Sequence, residues 1–236
     1  MTGRRLGFWR RFAVALVKPA LLLLTRRTWR GWEHIPAEGG VILVANHISQ
    51  ADPLAIAHFV YDSRRWPSFL AKDSLFTIPV VGWLLSAVGQ IPVKRGSADA
   101  AKALDAAVDW LRRGESLIIY PEGTTTREPD LWPMRGKTGI ARLWLSTGVP
   151  VIPIVTWGPQ RLYDPRTPKV HLRFRTPVTV VAGPPLDLSR WDGVDPDANT
   201  LAELTEHVML HLRDMVAEVR GAPAPVLFNP VKGERA

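Results

Sequence analysis

Apolar residues fall along the chain in short blocks separated by polar turns, some with strand periodicity and some with helix periodicity. Residues 41–45, Val-Ile-Leu-Val-Ala, are five consecutive apolar positions rich in β-branched types and read as a buried strand. Asp52-Pro53 then marks a helix start, with Asp52 as N-cap and Pro53 at the first helical position, and predicts a short helix over 53–60. Further strands are predicted at 67–71, 91–93, 116–120 and 149–155, the last with its prolines at an edge or a bulge. Residues 75–88 are strongly apolar but broken by Pro79 and Gly82, which suits two short helices or the wall of a hydrophobic slot. Residues 97–113 predict a helix capped by Ser97, with Leu104, Ala107, Val108 and Leu111 on one face and Gly114 as its stop. Another helix is predicted over 138–146, and a late pair of strands at 170–175 and 177–181. Thr200 and Glu203 form a capping box, after which Leu201, Leu204, Val208, Leu212, Met215 and Val219 share one helical face. Strands alternating with helices predict an α/β domain over 33–220, followed by a loose tail over 221–236.

The first 32 residues break this pattern. Apolar runs at 12–17 and 20–24 are interrupted by Lys18-Pro19 and flanked by Phe8, Trp9, Trp29 and Trp32. A spanning helix needs about 20 consecutive apolar residues, so this run is too short and too broken. Arg26-Arg27 directly after it is a poor context for signal cleavage. Charge sharpens the reading. The chain carries a net charge of +8, and eight basic residues with no acid precede Glu33, leaving 22 basic against 22 acidic residues in the remainder. A basic, aromatic-ended, interrupted apolar segment over 1–32 suits a helix or kinked helix pair lying in an anionic membrane surface, with an amphipathic helix packed on the domain as the alternative. A nucleic-acid-binding protein, which the pI near 10.3 and ten Trp also suggest, would spread its basic residues over a domain that here is neutral. The absence of cysteine excludes disulfides, thiolate metal sites and a Cys nucleophile.

Polar chemistry gathers where strands end: Asn46-His47 with Asp52, Lys94-Arg95, and Glu122-Gly123-Thr124 with Arg127. Ligands of α/β sheets collect at the carboxyl ends of strands, so these loops share one mouth. His47 and Asp52 would point apart within one helix, but a turn between strand and helix lets the carboxylate fold back onto the ring. A carboxylate on one ring nitrogen fixes the tautomer and leaves the other nitrogen free as a base. The 121–127 loop offers a Gly for close approach, three hydroxyls and an Arg, a set suited to a phosphate next to a hydroxyl-bearing substrate. Taken alone, each loop also suits a plain cap or a solvated turn.

Other patterns carry less. Gly136-Lys137-Thr138 ends like a P-loop, but Leu131 stands where that motif needs Gly. His207 and His211 have the spacing of a zinc-protease helix, but Val208 stands where Glu would be needed. No Gly-x-Ser-x-Gly elbow is present, and nothing marks Ser49 as activated.

Four blocks in order resemble the 1-acylglycerol-3-phosphate acyltransferase family, the PlsC-like glycerolipid acyltransferases, over roughly residues 30–185: His47 to Asp52, Ala71-Lys72-Asp73-Ser74-Leu75-Phe76 with Gly89 to Arg95, Pro121-Glu122-Gly123-Thr124, and the two-proline strand at 149–154. The chain departs from the family where Thr125 and Thr126 precede Arg127, and where Gly136 precedes Lys137. The resemblance implies a single acyltransferase domain, with a central, mostly parallel sheet flanked by helices. It implies transfer of an acyl group from an acyl-CoA or acyl carrier protein to the free hydroxyl of 1-acylglycerol 3-phosphate, giving phosphatidic acid. His47 would then be the base and Asp52 its orienting partner. Lys94, Arg95, Glu122, Gly123, Thr124, Arg127 and Lys137 would bind the acceptor. No cofactor or metal is implied. The partners are the thioester donor, the lysophospholipid and an anionic membrane surface, for a peripheral or monotopic protein on the cytoplasmic face of the cell membrane. Another lysophospholipid or glycolipid acceptor, or a non-catalytic lipid-surface module, are the alternatives.

Overall fold

The computed structural model describes residues 6–93, 99–167, 169–171 and 174–230, apart from the side chains of 99–102. Its elements in chain order are α1 (Phe8–Leu24), β1 (Thr25–Arg30), β2 (Val41–Ala45), α2 (Asp52–Asp62), β3 (Leu70–Lys72), α3 (Val81–Ala87), β4 (Ile91–Val93), α4 (Asp99–Arg112), β5 (Ser116–Ile119), α5 (Gly139–Thr147), β6 (Val151–Trp157), β7 (Tyr163–Asp164), β8 (Lys169–Val170), β9 (Thr176–Ala182) and α6 (Ala198–Arg220). The main sheet runs β1-β9-β6-β2-β5, with β5, β2 and β6 mutually parallel, β9 antiparallel to β6, and β1 parallel to β9. A bridge from Phe69 to Ile118 joins β5 to the parallel pair β3-β4.

The central strands are apolar throughout because both their faces are covered. Strand alternation sends Val41, Leu43 and Ala45 towards Ile56 and Phe59 of α2, and Ile42 and Val44 towards the layer of α4, α5 and α6. This is the α/β sheet with flanking helices that the alternating pattern predicts. Several details differ. The two-proline strand is interior, not at an edge. The Pro153 carbonyl accepts from Gly183 N (2.8 Å) just past the end of β9, so its missing N–H faces a side where the β6-β9 ladder has already stopped. The late strands do not pair with each other: β8 pairs with β7, and β9 enters the main sheet. Asp197, whose side chain accepts from Thr200 N, caps α6, which leaves Glu203 to pair with Arg190 in place of the expected capping box. The tail is docked as far as Leu227, which is buried, and Phe228, which bridges Met134. Ser97, the expected cap of α4, lies outside the described residues.

The N-terminal segment divides in two. α1 runs through Pro19 as one helix, and the next six residues, Thr25–Arg30, become the edge strand β1. Gly31 (φ +72°) then turns the chain where a Cβ would strike Ala182 O. No helix among the described residues is long and apolar enough to cross a membrane. Val14, Val17 and Leu21 of α1 line a cavity, with Leu21 buried, while Phe8, Phe12, Leu16 and Leu23 are exposed on the other side.

Candidate active site

Parallel strands β2 and β5 lie side by side, so the loops that follow them emerge at one end of the sheet. Three hydrogen bonds knit these loops together. His47 N donates to Glu122 Oε1 (2.9 Å), Thr126 N donates to His47 O (2.7 Å), and Gln50 Nε2 donates to Thr125 Oγ1 (3.0 Å).

Asp52 is the first residue of α2, not its cap, and its carboxylate turns back over the loop. Its Oδ2 lies 3.0 Å from His47 Nδ1 and accepts from Ile48 N (2.6 Å) and Ser49 N (2.8 Å). The folded-back geometry expected from the His47–Asp52 spacing is therefore present. Burial pushes the Asp52 carboxyl above its usual range, against the lowering effect of His47 and the two backbone amides. Tyr120, at the end of β5, stacks on the His47 ring with centroids 4.2 Å apart and planes 21° apart. With Nδ1 facing a carboxylate and one ring face covered, Nε2 is the nitrogen left for a substrate proton.

Glu122 is 2 % exposed, and its second oxygen accepts from Met134 N (3.2 Å). Both oxygens thus face backbone amides, which makes Glu122 a cross-link beneath His47 and turns it away from any acceptor phosphate. Burial drives its carboxyl up to about 8. Gly123 (φ +73°) brings the backbone close to Lys137, whose Cε would lie 2.9 Å from a Cβ at that position. Lys137 and Arg127 are both exposed; Thr124 and Thr125 line the cavity beside His47, and Arg127 does not. The structure therefore gathers His47, Asp52, Glu122, Gly123, Thr124 and Lys137 and leaves Arg127 at the surface. Lys94 and Arg95 lie outside the described residues.

The cavity itself, about 570 Å³, runs from His47 and Tyr120 between α1, α2 and the 66–90 segment. Leu75, Leu85 and Val88 line it, so the 75–88 run serves as the slot wall that its composition suggests. Sequence alone did not single out Tyr120, Gln50 or the part α1 plays in this wall. Tyr120 reads as the tail of a strand, and the inward face of α1 is indistinguishable from its outward one. His207 and His211 sit at another place, on α6, where His207 packs against Trp191 (5.2 Å) and burial holds its ring below the ordinary value. Among the described residues no group of three or more His, Cys, Asp or Glu is arranged to hold a metal ion.

Residues 26–157 match the family model described as Acyltransferase. The chain is 35% identical over 134 residues to a 1-acyl-sn-glycerol-3-phosphate acyltransferase of Borreliella burgdorferi, covering 56% of this chain and 52% of that one. It is 34% identical over 117 residues to a lyso-ornithine lipid O-acyltransferase of Pseudomonas aeruginosa, covering 48% and 42%. The chain thus spans about half the length of these curated relatives. The crystal structure of the 1-acyl-sn-glycerophosphate (LPA) acyltransferase, PlsC, from Thermotoga maritima superposes with a TM-score of 0.66 at 27% identity, over 92% of this chain and 83% of that one.

Proposed function

The chain belongs to the Acyltransferase family, and we propose that it moves a fatty acyl group from an acyl thioester to the free hydroxyl of 1-acylglycerol 3-phosphate, giving phosphatidic acid. The observation that carries this reading is the His47–Asp52 pair at the mouth of an apolar cavity of about 570 Å³. An acyl chain fills such a slot, and its thioester carbonyl then sits beside His47.

His47 Nε2 takes the proton of the acceptor hydroxyl as the oxygen attacks the thioester carbon. The tetrahedral centre collapses, the C–S bond breaks, and the proton on His47 passes to the leaving thiolate. No acyl-enzyme forms. Asp52 keeps the proton on Nδ1 and stabilises the imidazolium that appears midway. Tyr120 holds the plane of the ring, and Glu122 holds the backbone beneath it. Gly123, Thr124 and Lys137 receive the glycerol phosphate, and Arg127 draws the anion in from outside; Lys94 and Arg95 bind the same acceptor on the family resemblance. The donor is an acyl-CoA or an acyl carrier protein.

Exposed Phe8, Phe12, Leu16 and Leu23 on α1, with Trp83 on α3 packed on Trp9 (4.4 Å), offer one apolar surface. A helix apolar on both faces needs a second apolar partner, and a lipid surface supplies it. This reading makes the protein peripheral or monotopic, on the cytoplasmic face where thioester donors are made. The relative named for lyso-ornithine lipid favours one second reading, an acceptor with another headgroup on the same chemistry.

Purified protein given radiolabelled acyl-CoA and a panel of lysolipids, with products separated by chromatography, tests both. Labelled phosphatidic acid is the expected product. A label confined to another lysolipid moves the acceptor, and no labelled lipid at all leaves only a lipid-surface module.

A further inference from the structure

A second apolar cavity, of about 240 Å³, lies beside the first, between the end of α1, β1, α2 and residues 159–171. Leu24, Ala55, Leu162 and Val178 line it and do not line the larger one. Leu21, Leu54 and His58 line both and form the ridge between them. Gln50 also borders both, and its amide reaches Thr125 in the loop beside His47 (3.0 Å). The far wall is fixed to the reaction loop as well: the Ser49 hydroxyl donates to Tyr163 O (2.7 Å) while Ser49 N donates to Asp52. Burial, helped by the nearby charges of Arg27 and Lys18 and opposed by Asp62, holds the His58 ring below its usual value, which favours an uncharged ring in the ridge.

We propose that this second cavity holds the acyl chain the acceptor already carries, while the larger cavity holds the chain being transferred; the proposal rests on the acyl-transfer reading above. A glycerolipid product bears two chains on neighbouring carbons of one glycerol. A site that makes it from two single-chain substrates needs two apolar slots, side by side, that open at one reacting point. The two cavities lie side by side and both border Gln50, with His47 lining the larger one, which sets the smaller slot one residue wall away from the reacting point. Their sizes fit the two sources. The transferred chain comes off a water-soluble carrier and needs burial over its whole length, whereas the acceptor's chain enters from a bilayer and needs only its first part held.

Two substitutions on α2 separate the slots. Ala55→Leu fills only the smaller cavity and Ala57→Leu only the larger. The assay uses full-length protein, 1-acylglycerol 3-phosphates of graded chain length kept monomeric, and acyl-CoAs of graded length. For the wild type, KM for the acceptor should fall about four-fold per methylene until the slot is full. Ala55→Leu should raise KM for the longer acceptors on the order of ten-fold, the loss of roughly two buried methylenes, with the donor series unchanged. Ala57→Leu should shift the donor series and spare the acceptor series. A folded Ala55→Leu protein that alters the donor series, or leaves both series as they were, overturns the proposal. If Ala55→Leu does not fold, Leu162→Ala takes its place and should move the acceptor optimum to longer chains; an unmoved optimum overturns it equally. A wild type that acylates no lysolipid defeats the acyl-transfer reading by itself. The cavity is then judged by tryptophan quenching with a brominated lysolipid, since Trp29 lines it; equal quenching in wild type and Ala55→Leu overturns the proposal.

Discussion

His47 reaches its chemistry through three supports, and each has a separate signature. Asp52 holds Nδ1, Tyr120 covers one ring face, and Glu122 ties down the backbone. His47→Ala should lower acyl transfer by roughly 10²–10⁴-fold, the range for a lost general base, with the unfolding midpoint little changed. Asp52→Asn should lose most activity as well, because an amide cannot both keep the Nδ1 proton in place and offset the imidazolium charge; steady-state kinetics on folded protein check both. Glu122 predicts a stability effect. Burial raises its carboxyl from 4.5 to about 8, so between those values the folded state holds a proton that the unfolded chain releases. Stability contributed at this position therefore falls as pH rises through that window and levels off above it. Glu122→Gln removes the titration, and it also sets an NH₂ against one of the two backbone amides. The variant should be less stable at the acid end and show a flatter dependence of Tm on pH; parallel curves for the two proteins would contradict the assignment. Of these residues, His47 and Asp52 are legible in sequence because strand, turn and carboxylate follow within a dozen positions. Tyr120 is not, since its partner is the neighbouring strand's loop. Glu122 is legible as polar but not as buried, because the amides that claim it belong to His47 and Met134, far apart in the chain.

At the scale of elements, legibility follows burial. Strands β2, β5 and β6 are buried on both faces and show as apolar runs, and α6 shows its stripe of Leu201, Leu204, Val208 and Leu212. β1 is hidden, since Thr-Arg-Arg-Thr-Trp-Arg at a sheet edge has no alternation to read, and only pairing with β9 makes it a strand. The cavity wall on α1 is hidden for a related reason: a helix with apolar residues on opposite sides does not announce which of them meets protein. Part of the basic charge of α1 and β1 is engaged by the rest of the fold, with Lys18 2.7 Å and Arg27 3.3 Å from Asp62 and Arg10 over the Trp66 ring. On the proposed lipid-surface reading, binding rests more on the apolar surface than the charge count suggests. Replacing Phe8, Phe12, Leu16 and Leu23 together by Ser should release the protein from anionic vesicles at physiological salt, because each exposed side chain loses about 1.5–3 kcal/mol of burial in the bilayer. Transfer to a short-chain, water-soluble acceptor should survive, since the inward face of α1 is untouched. Co-sedimentation with vesicles checks the first part, and retained binding would move the lipid contact elsewhere.

The whole molecule is a sheet that delivers two loops to one end and a helix that roofs the space beside them. Parallel β2 and β5 bring His47 and Gly123 together, α2 turns Asp52 back onto the ring, and α1 with the 66–90 segment closes an apolar cavity around the opening. The parts, a strand-end His, a polar loop and an apolar slot, are visible in sequence as three motifs but not as one enclosure, because the enclosure is built by residues with no polar signature. The most direct test gives wild-type protein and His47→Ala the same radiolabelled acyl-CoA and 1-acylglycerol 3-phosphate and follows labelled phosphatidic acid over time. Steady formation by the wild type is expected, with a rate at least about 100-fold lower for the variant at equal Tm. Equal rates, or no labelled phosphatidic acid from the wild type, would contradict it.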